Sequence, residues 1–104
     1  MKWAEDAIEK LRQGECVSVR PRGRSMSGWI EDGQLVWLQP LVSEDPEVGE
    51  IVLARVRGKK RGVVVLHQII AVDERGFLIG ACNGRVDGWV DRSALLGRLQ
   101  RVVV

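Results

Sequence analysis

A mainly β domain carrying one short amphipathic helix at its N-terminus is predicted by three features of this 104-residue sequence. Apolar residues recur at helical spacing only ahead of Gly14, short β-rich runs follow from Val17 onward, and turn-forming residues separate those runs. A chain of this length closes one hydrophobic core, so residues 1–104 are read as a single domain, with 1–14 the helix and 15–104 the β-rich part.

Residues 3–13, WAEDAIEKLRQ, set Trp3, Ala4, Ala7, Ile8 and Leu11 on one face. Acids occupy the first turn, Lys10 and Arg12 lie near the end, and Gly14 supplies the stop, all in the sense that complements a helix dipole. Short, mostly antiparallel strands are then expected within CVSVR, QLVWLQP, EIVLARV, GVVVLHQIIAV, GFLIGAC and RLQRVVV. The turns between them are expected at Glu31-Asp32-Gly33, Ser43-Glu44-Asp45-Pro46, Gly58-Lys59-Lys60-Arg61-Gly62 and Asp73-Glu74-Arg75-Gly76.

Lys and Arg number 16 against 14 Asp and Glu, a formal charge of +2, and the basic residues are scattered. That gives only weak support to a nucleic-acid partner. No run approaches the ~20 apolar residues needed to cross a bilayer, and MKWAEDAIEKLRQG carries acids where a secretory signal carries an apolar run. The expectation is a soluble, cytoplasmic protein with no transmembrane segment. Cys16 and Cys82 match no common metal spacing, and the cytosol keeps thiols reduced, so both are read as buried or idle thiols, with no metal and no cofactor.

Chemistry concentrates around PRGRSMSGWIEDGQLV, where Ser25 follows Gly23 and Arg24 and precedes Met26. A serine hydroxyl becomes a nucleophile only when a base takes its proton. His67 is the one histidine, set in an apolar run whose alternation places it on the face of Val63, Val65 and Ile69, with Leu66 and Gln68 opposite. A lone histidine in such a run is more often structural than catalytic, unless a carboxylate orients it. Asp87 is the best placed candidate, in ACNGRVDGWVD, read as a polar loop after a strand; Asp91 and Asp73 are the alternatives. From chemistry alone, Ser25, His67 and Asp87 form a possible triad whose convergence in space only a structure displays.

GRSMSGWIEDGQLVWLQP resembles the nucleophile box of the superfamily that joins type I signal peptidases to the self-cleaving SOS-response (LexA-like) and phage repressors. VGEIVLARV, VVLHQIIAV and GRLQRVVV resemble three further strands of that superfamily in the same order, so the similarity spans roughly residues 17–104. The resemblance implies the signal-peptidase-like β fold, with Ser25 as nucleophile, its backbone N–H as an oxyanion donor, and Gly23, Arg24 and Met26 against the substrate. His67 matches the base of the histidine branch, which has arginine next where this chain has Gln68. That branch continues with glycine-aspartate-asparagine and a second aspartate. Here the first aspartate is missing from Gly80-Ala81-Cys82-Asn83, and Asp87 matches the second. Gly28 replaces a usual proline, and Gln34 and Glu50 replace two structural aspartates.

The implied activity is that of a soluble serine endopeptidase working through an acyl-enzyme, with a client protein or propeptide bound as an added strand. Only 24 residues precede Ser25, so cleavage in trans is expected rather than self-cleavage. Two alternatives stand beside it. One is a catalytically impaired module on the same fold that binds a peptide or partner. The other is a nucleic-acid binder using Arg20, Arg22, Arg24 and the Lys59-Lys60-Arg61 loop, whose affinity would fall steeply with salt. Met26 is read equally as a core and as a substrate-facing residue, Trp29 as a core or lid residue, and Trp37 and Trp89 as packing residues. Oligomeric state is not legible.

Overall fold

The computed structural model describes residues 2–42, 44–57 and 62–104, the side chains of residues 2 and 3 excepted. Helix α1 (Lys2–Arg12) precedes strands β1 (Val17–Val19), β2 (Val36–Gln39), β3 (Ile51–Arg57), β4 (Gly62–Asp73), β5 (Gly76–Gly80), β6 (Val86–Val90) and β7 (Leu95–Val102), with a single 3-10 turn at Arg92–Ala94. The fold is mainly β with one short N-terminal helix, as expected. The expected places of Trp3, of Ser43 and of the Gly58-Lys59-Lys60-Arg61 loop lie outside the described residues.

All seven strands form one antiparallel sheet in the order β1-β2-β7-β3-β4-β5-β6. Strand β7 therefore lies in the middle, between β2 and β3. Alternation along the strands sorts the apolar residues onto two faces. On one face Ala4, Ala7, Ile8 and Leu11 of α1 pack over Val36, Leu38, Leu53 and Leu66. Helix and sheet can approach closely because Gly97 has no side chain: a Cβ there would come within 2.8 Å of the Leu11 Cδ1. The second face packs Val52, Ala54, Ile69, Phe77, Ile79 and Leu95 together. Val65 and Ile69 join this face and Leu66 the other, the alternation read from the sequence around His67.

Two elements depart from the expected ones. Residues 86–90, expected as part of a loop, form strand β6, because Val86, Trp89 and Val90 supply β-favouring side chains beside β5 despite the interrupting Asp87 and Gly88. Strand β7 starts at Leu95, before the expected run, and its pairing with β3 shifts register between Leu53 and Ala54, which accommodates Leu96 as an extra residue. Trp37 and Trp89 are half-buried, each with an arginine over its ring: Arg101 at 5.9 Å from the Trp37 centroid and Arg75 at 4.1 Å from that of Trp89. Trp29, by contrast, is 62% exposed and is no core residue.

Two positions that depart from the resembled superfamily hold the sheet together here. Glu50 accepts a forked pair of hydrogen bonds from the Arg98 guanidinium across β3 and β7, at 2.6 and 2.9 Å to one of its oxygens. Partial burial opposes its charge, but the Arg98 hydrogen bond, the Glu47 N–H and the Arg98 charge outweigh it and hold the carboxyl below its usual range. Gln34 accepts the Glu31 N–H at 3.0 Å and donates to the Val103 carbonyl at 3.3 Å, which ties the end of the 20–35 loop to the chain after β7.

Candidate active site

Ser25 sits in the loop between β1 and β2, a segment built from consecutive tight turns. The Ser27 N–H bonds the Arg24 carbonyl at 3.1 Å, and the Trp29 and Ile30 N–H groups both reach the Met26 carbonyl, at 3.0 and 2.8 Å. Gly23 enters this segment at φ +112, a left-handed region that a side chain disfavours, and its N–H is taken by Asp32 Oδ1 at 2.8 Å. Asp32 thus closes the loop's two ends on each other. Met26 is buried beneath in the α1-side core, so the loop is anchored by its own next residue and Ser25 stays half-buried above it.

A third anchor comes from the chain just past β5, which packs against the same core. The Cys82 N–H donates to the Ser25 carbonyl at 2.9 Å, and the Cys82 thiol lies 3.6 Å from the Met26 sulfur. Burial pushes the Cys82 thiol above its usual pKa, which keeps it protonated and unreactive at neutral pH. Cys16, expected to be buried or idle, is exposed; both cysteines are free. Among the described residues the Ser25 N–H has no acceptor within the protein.

His67 lies on β4 at the point where β3 pairs with it, opposite Val52, and is buried. Its Nε2 is 2.9 Å from Ser25 Oγ, and its Nδ1 is 2.6 Å from Asp87 Oδ2. Residues 25, 67 and 87 thus converge in the order hydroxyl, imidazole, carboxylate. Asp87 reaches the ring because β6 carries a bulge there: Ile79 pairs with Gly88 and Gly80 with Val86, leaving Asp87 as the extra residue. An extra residue in a ladder re-aims its side chain, and Gly88, at φ +128, supplies the backbone conformation beside it. The other two carboxylates considered are occupied elsewhere. Asp91 accepts the Ser93 hydroxyl, and Asp73 is paired with Arg75, whose guanidinium holds its carboxyl below the usual range.

Ser25 and His67 open onto a cavity of about 190 Å³ floored by Met26, Ile30 and Leu66, with Arg22 and Glu31 on its walls. Of the residues assigned to the substrate side, Gly23 and Met26 line it and Arg24 does not; Arg22 lines it too, and both arginines are exposed. The cavity runs beside β4, and that strand has an open edge there. Ile69 donates its N–H to the Glu50 carbonyl at 2.9 Å and accepts that of Gly49 at 2.8 Å, so at Ile69 the backbone groups point toward β3. Alternation turns those of Leu66 and Val64 the opposite way. Strand β5 pairs only with Gln68–Asp73, so among the described residues no strand covers Val64 and Leu66 on that side. The place of this edge is not legible along the chain, because strand order is set by long-range pairing.

Among the described residues no group of three or more His, Cys, Asp or Glu side chains is placed to hold a metal, and no helix is long and apolar enough to cross a membrane. Compared with protein-family models, with curated proteins and with solved structures, the chain matches none of them.

Proposed function

We propose that the protein is a serine endopeptidase that cuts a client protein or propeptide in trans, with Ser25 as nucleophile, His67 as base and Asp87 as the group that orients the base. The observation that carries this reading is the pair of hydrogen bonds through one imidazole, 2.9 Å to Ser25 Oγ and 2.6 Å to Asp87 Oδ2. In that arrangement Asp87 holds the ring proton on Nδ1, which leaves the Nε2 lone pair facing the hydroxyl.

The chemistry follows from those positions. As Ser25 Oγ attacks the peptide carbonyl, its proton passes to His67 Nε2, and the Ser25 N–H faces the developing oxyanion. Collapse expels the amine half of the substrate, which takes the proton from His67, and leaves an ester on Ser25. Water then attacks that ester as His67 removes its proton, and the acid half is released with Ser25 restored. The uncovered edge at Val64 and Leu66 offers the substrate backbone a strand to pair with beside the serine. On the same grounds, together with the ordered motifs along residues 17–104, we place the chain in the histidine-base branch of the signal peptidase and repressor superfamily. Its two free cysteines suit a cytoplasmic setting.

A fluorophosphonate probe with intact mass spectrometry tests the reading. A single adduct on the parent that is lost in both Ser25→Ala and His67→Ala is the expected result. Equal labelling of Ser25→Ala, or no labelling of the parent together with retained binding of extended peptides, overturns it in favour of a non-catalytic peptide-binding module.

A further inference from the structure

We infer that Arg22 makes the Ser25 cavity selective for a client segment that carries an acidic side chain next to, or two residues from, a buried apolar one. This rests on the peptidase or peptide-binding reading of the cavity and names the segment it takes.

Three observations carry it. First, the cavity floor of Met26, Ile30 and Leu66 is apolar, and about 190 Å³ holds a branched aliphatic or small aromatic side chain, since cavities near ~150 Å³ accept benzene. Second, four arginines have polar partners, while Arg22, like the exposed Arg24, Arg55, Arg57 and Arg85, has none among the described residues, and of these Arg22 is the one that lines the cavity. Arg98 is bound to Glu50, Arg92 to Asp45, Arg75 to Asp73, and Arg20 donates to the Gly33 carbonyl. Third, the Arg22 head lies beside Gly33. A Cβ on Gly33 would come 3.1 Å from Arg22 Nη1, so the guanidinium lies across Gly33, in space that any side chain there would crowd.

Two carboxylates of the same loop each accept a backbone N–H. Asp32 Oδ1 accepts the Gly23 N–H, and Glu31 Oε1, on the same cavity wall, accepts the Gly28 N–H at 2.9 Å. Those bonds hold the loop in shape, and neither carboxylate is paired with Arg22 among the described residues. A guanidinium at the mouth of an apolar slot favours a carboxylate there and disfavours a lysine or arginine, so it selects by repulsion as well as attraction.

The test is affinity selection from a randomised library of extended peptides on Ser25→Ala, which binds without cutting, repeated in the Ser25→Ala background with Arg22→Glu or Arg24→Glu. Expected is enrichment of Asp and Glu at one position by about two- to fivefold, the span of an exposed ion pair. Arg22→Glu should reverse it toward Lys and Arg at that same position, while Arg24→Glu, with the same charge change outside the cavity, should leave it. Enrichment that is missing, that survives Arg22→Glu, or that reverses equally with Arg24→Glu overturns the proposal. Because the selection needs no catalysis, its outcome is independent of the fluorophosphonate result.

Discussion

Replacing Asp87 with asparagine isolates the orienting group without changing its size. In the parent, Asp87 Oδ2 lies 2.6 Å from His67 Nδ1, a charge-assisted contact that fixes the ring proton on Nδ1 and will stabilise the imidazolium when Nε2 takes a second proton. An asparagine amide seated at that distance donates its own N–H to Nδ1. The ring proton then moves to Nε2, 2.9 Å from Ser25 Oγ, and the serine faces a donor instead of a base. The equivalent change in another serine protease with this arrangement lowers turnover about ten-thousand-fold, which corresponds to about 5.5 kcal/mol of barrier. The expected slowing of phosphonylation by the fluorophosphonate, in which Ser25 Oγ displaces fluoride at phosphorus, is therefore about 10⁴-fold at neutral pH. It should leave the unfolding midpoint within a few degrees of the parent, because the asparagine keeps the bulge filled and remains a hydrogen-bond partner. Adduct formation is followed by intact mass spectrometry over time, and thermal unfolding by circular dichroism. A folded Asp87→Asn protein that is phosphonylated within tenfold of the parent rate refutes the assignment of Asp87 as the orienting residue.

Other expectations concern the edge, the sheet and its turns. N-methylation scanned along a bound extended peptide should weaken binding at every second residue, because Val64 and Leu66 present their backbone groups at two-residue spacing; a uniform effect would exclude strand addition. Glu50→Gln should lower stability by about 1–2 kcal/mol at neutral pH by removing the Arg98 pair. The folded Glu50 carboxyl lies below its usual 4.5, so this contribution is present above that value and disappears as pH falls through the lower folded value; the unfolding midpoints of parent and variant should converge in acid, and parallel curves would contradict the pairing. Gly76→Ala should cost about 2–4 kcal/mol, since φ is +113 and the new Cβ would meet the Val90 carbonyl oxygen at 2.2 Å, and a midpoint lowered by less than about 4 °C would count against that clash.

Much of this molecule could be read along the chain. The 3.6-residue period of Ala4, Ala7, Ile8 and Leu11 and the alternation around Leu66 and His67 are local signals, and local packing obeys them. His67 stood out as the one histidine, and Ser25, among five serines, by the glycine-flanked turn motif around it. Strand β6 did not, because Asp87 and Gly88 interrupt a short run with two residues that disfavour strands, and only pairing with β5 overrides them. That bulge is also what turns Asp87 toward His67, so the same two residues that hid the strand complete the site. The open edge of β4 and the central place of β7 were likewise beyond local reading, since both arise from pairings between distant segments.

The central position of β7 governs when such a site can exist. Ser25 belongs to the β1–β2 part of the sheet, whereas His67 and Asp87 belong to the β3–β6 part, and the ladder that joins the two parts runs through β7 alone. A ribosome releases β7 after every other strand. Until then the hydroxyl and the imidazole ride on separate halves with no backbone ladder between them, and a nascent or C-terminally clipped chain carries all three side chains without their alignment. The alignment of Ser25 with His67 is thus a property of the closed sheet, made when β7 joins its two parts.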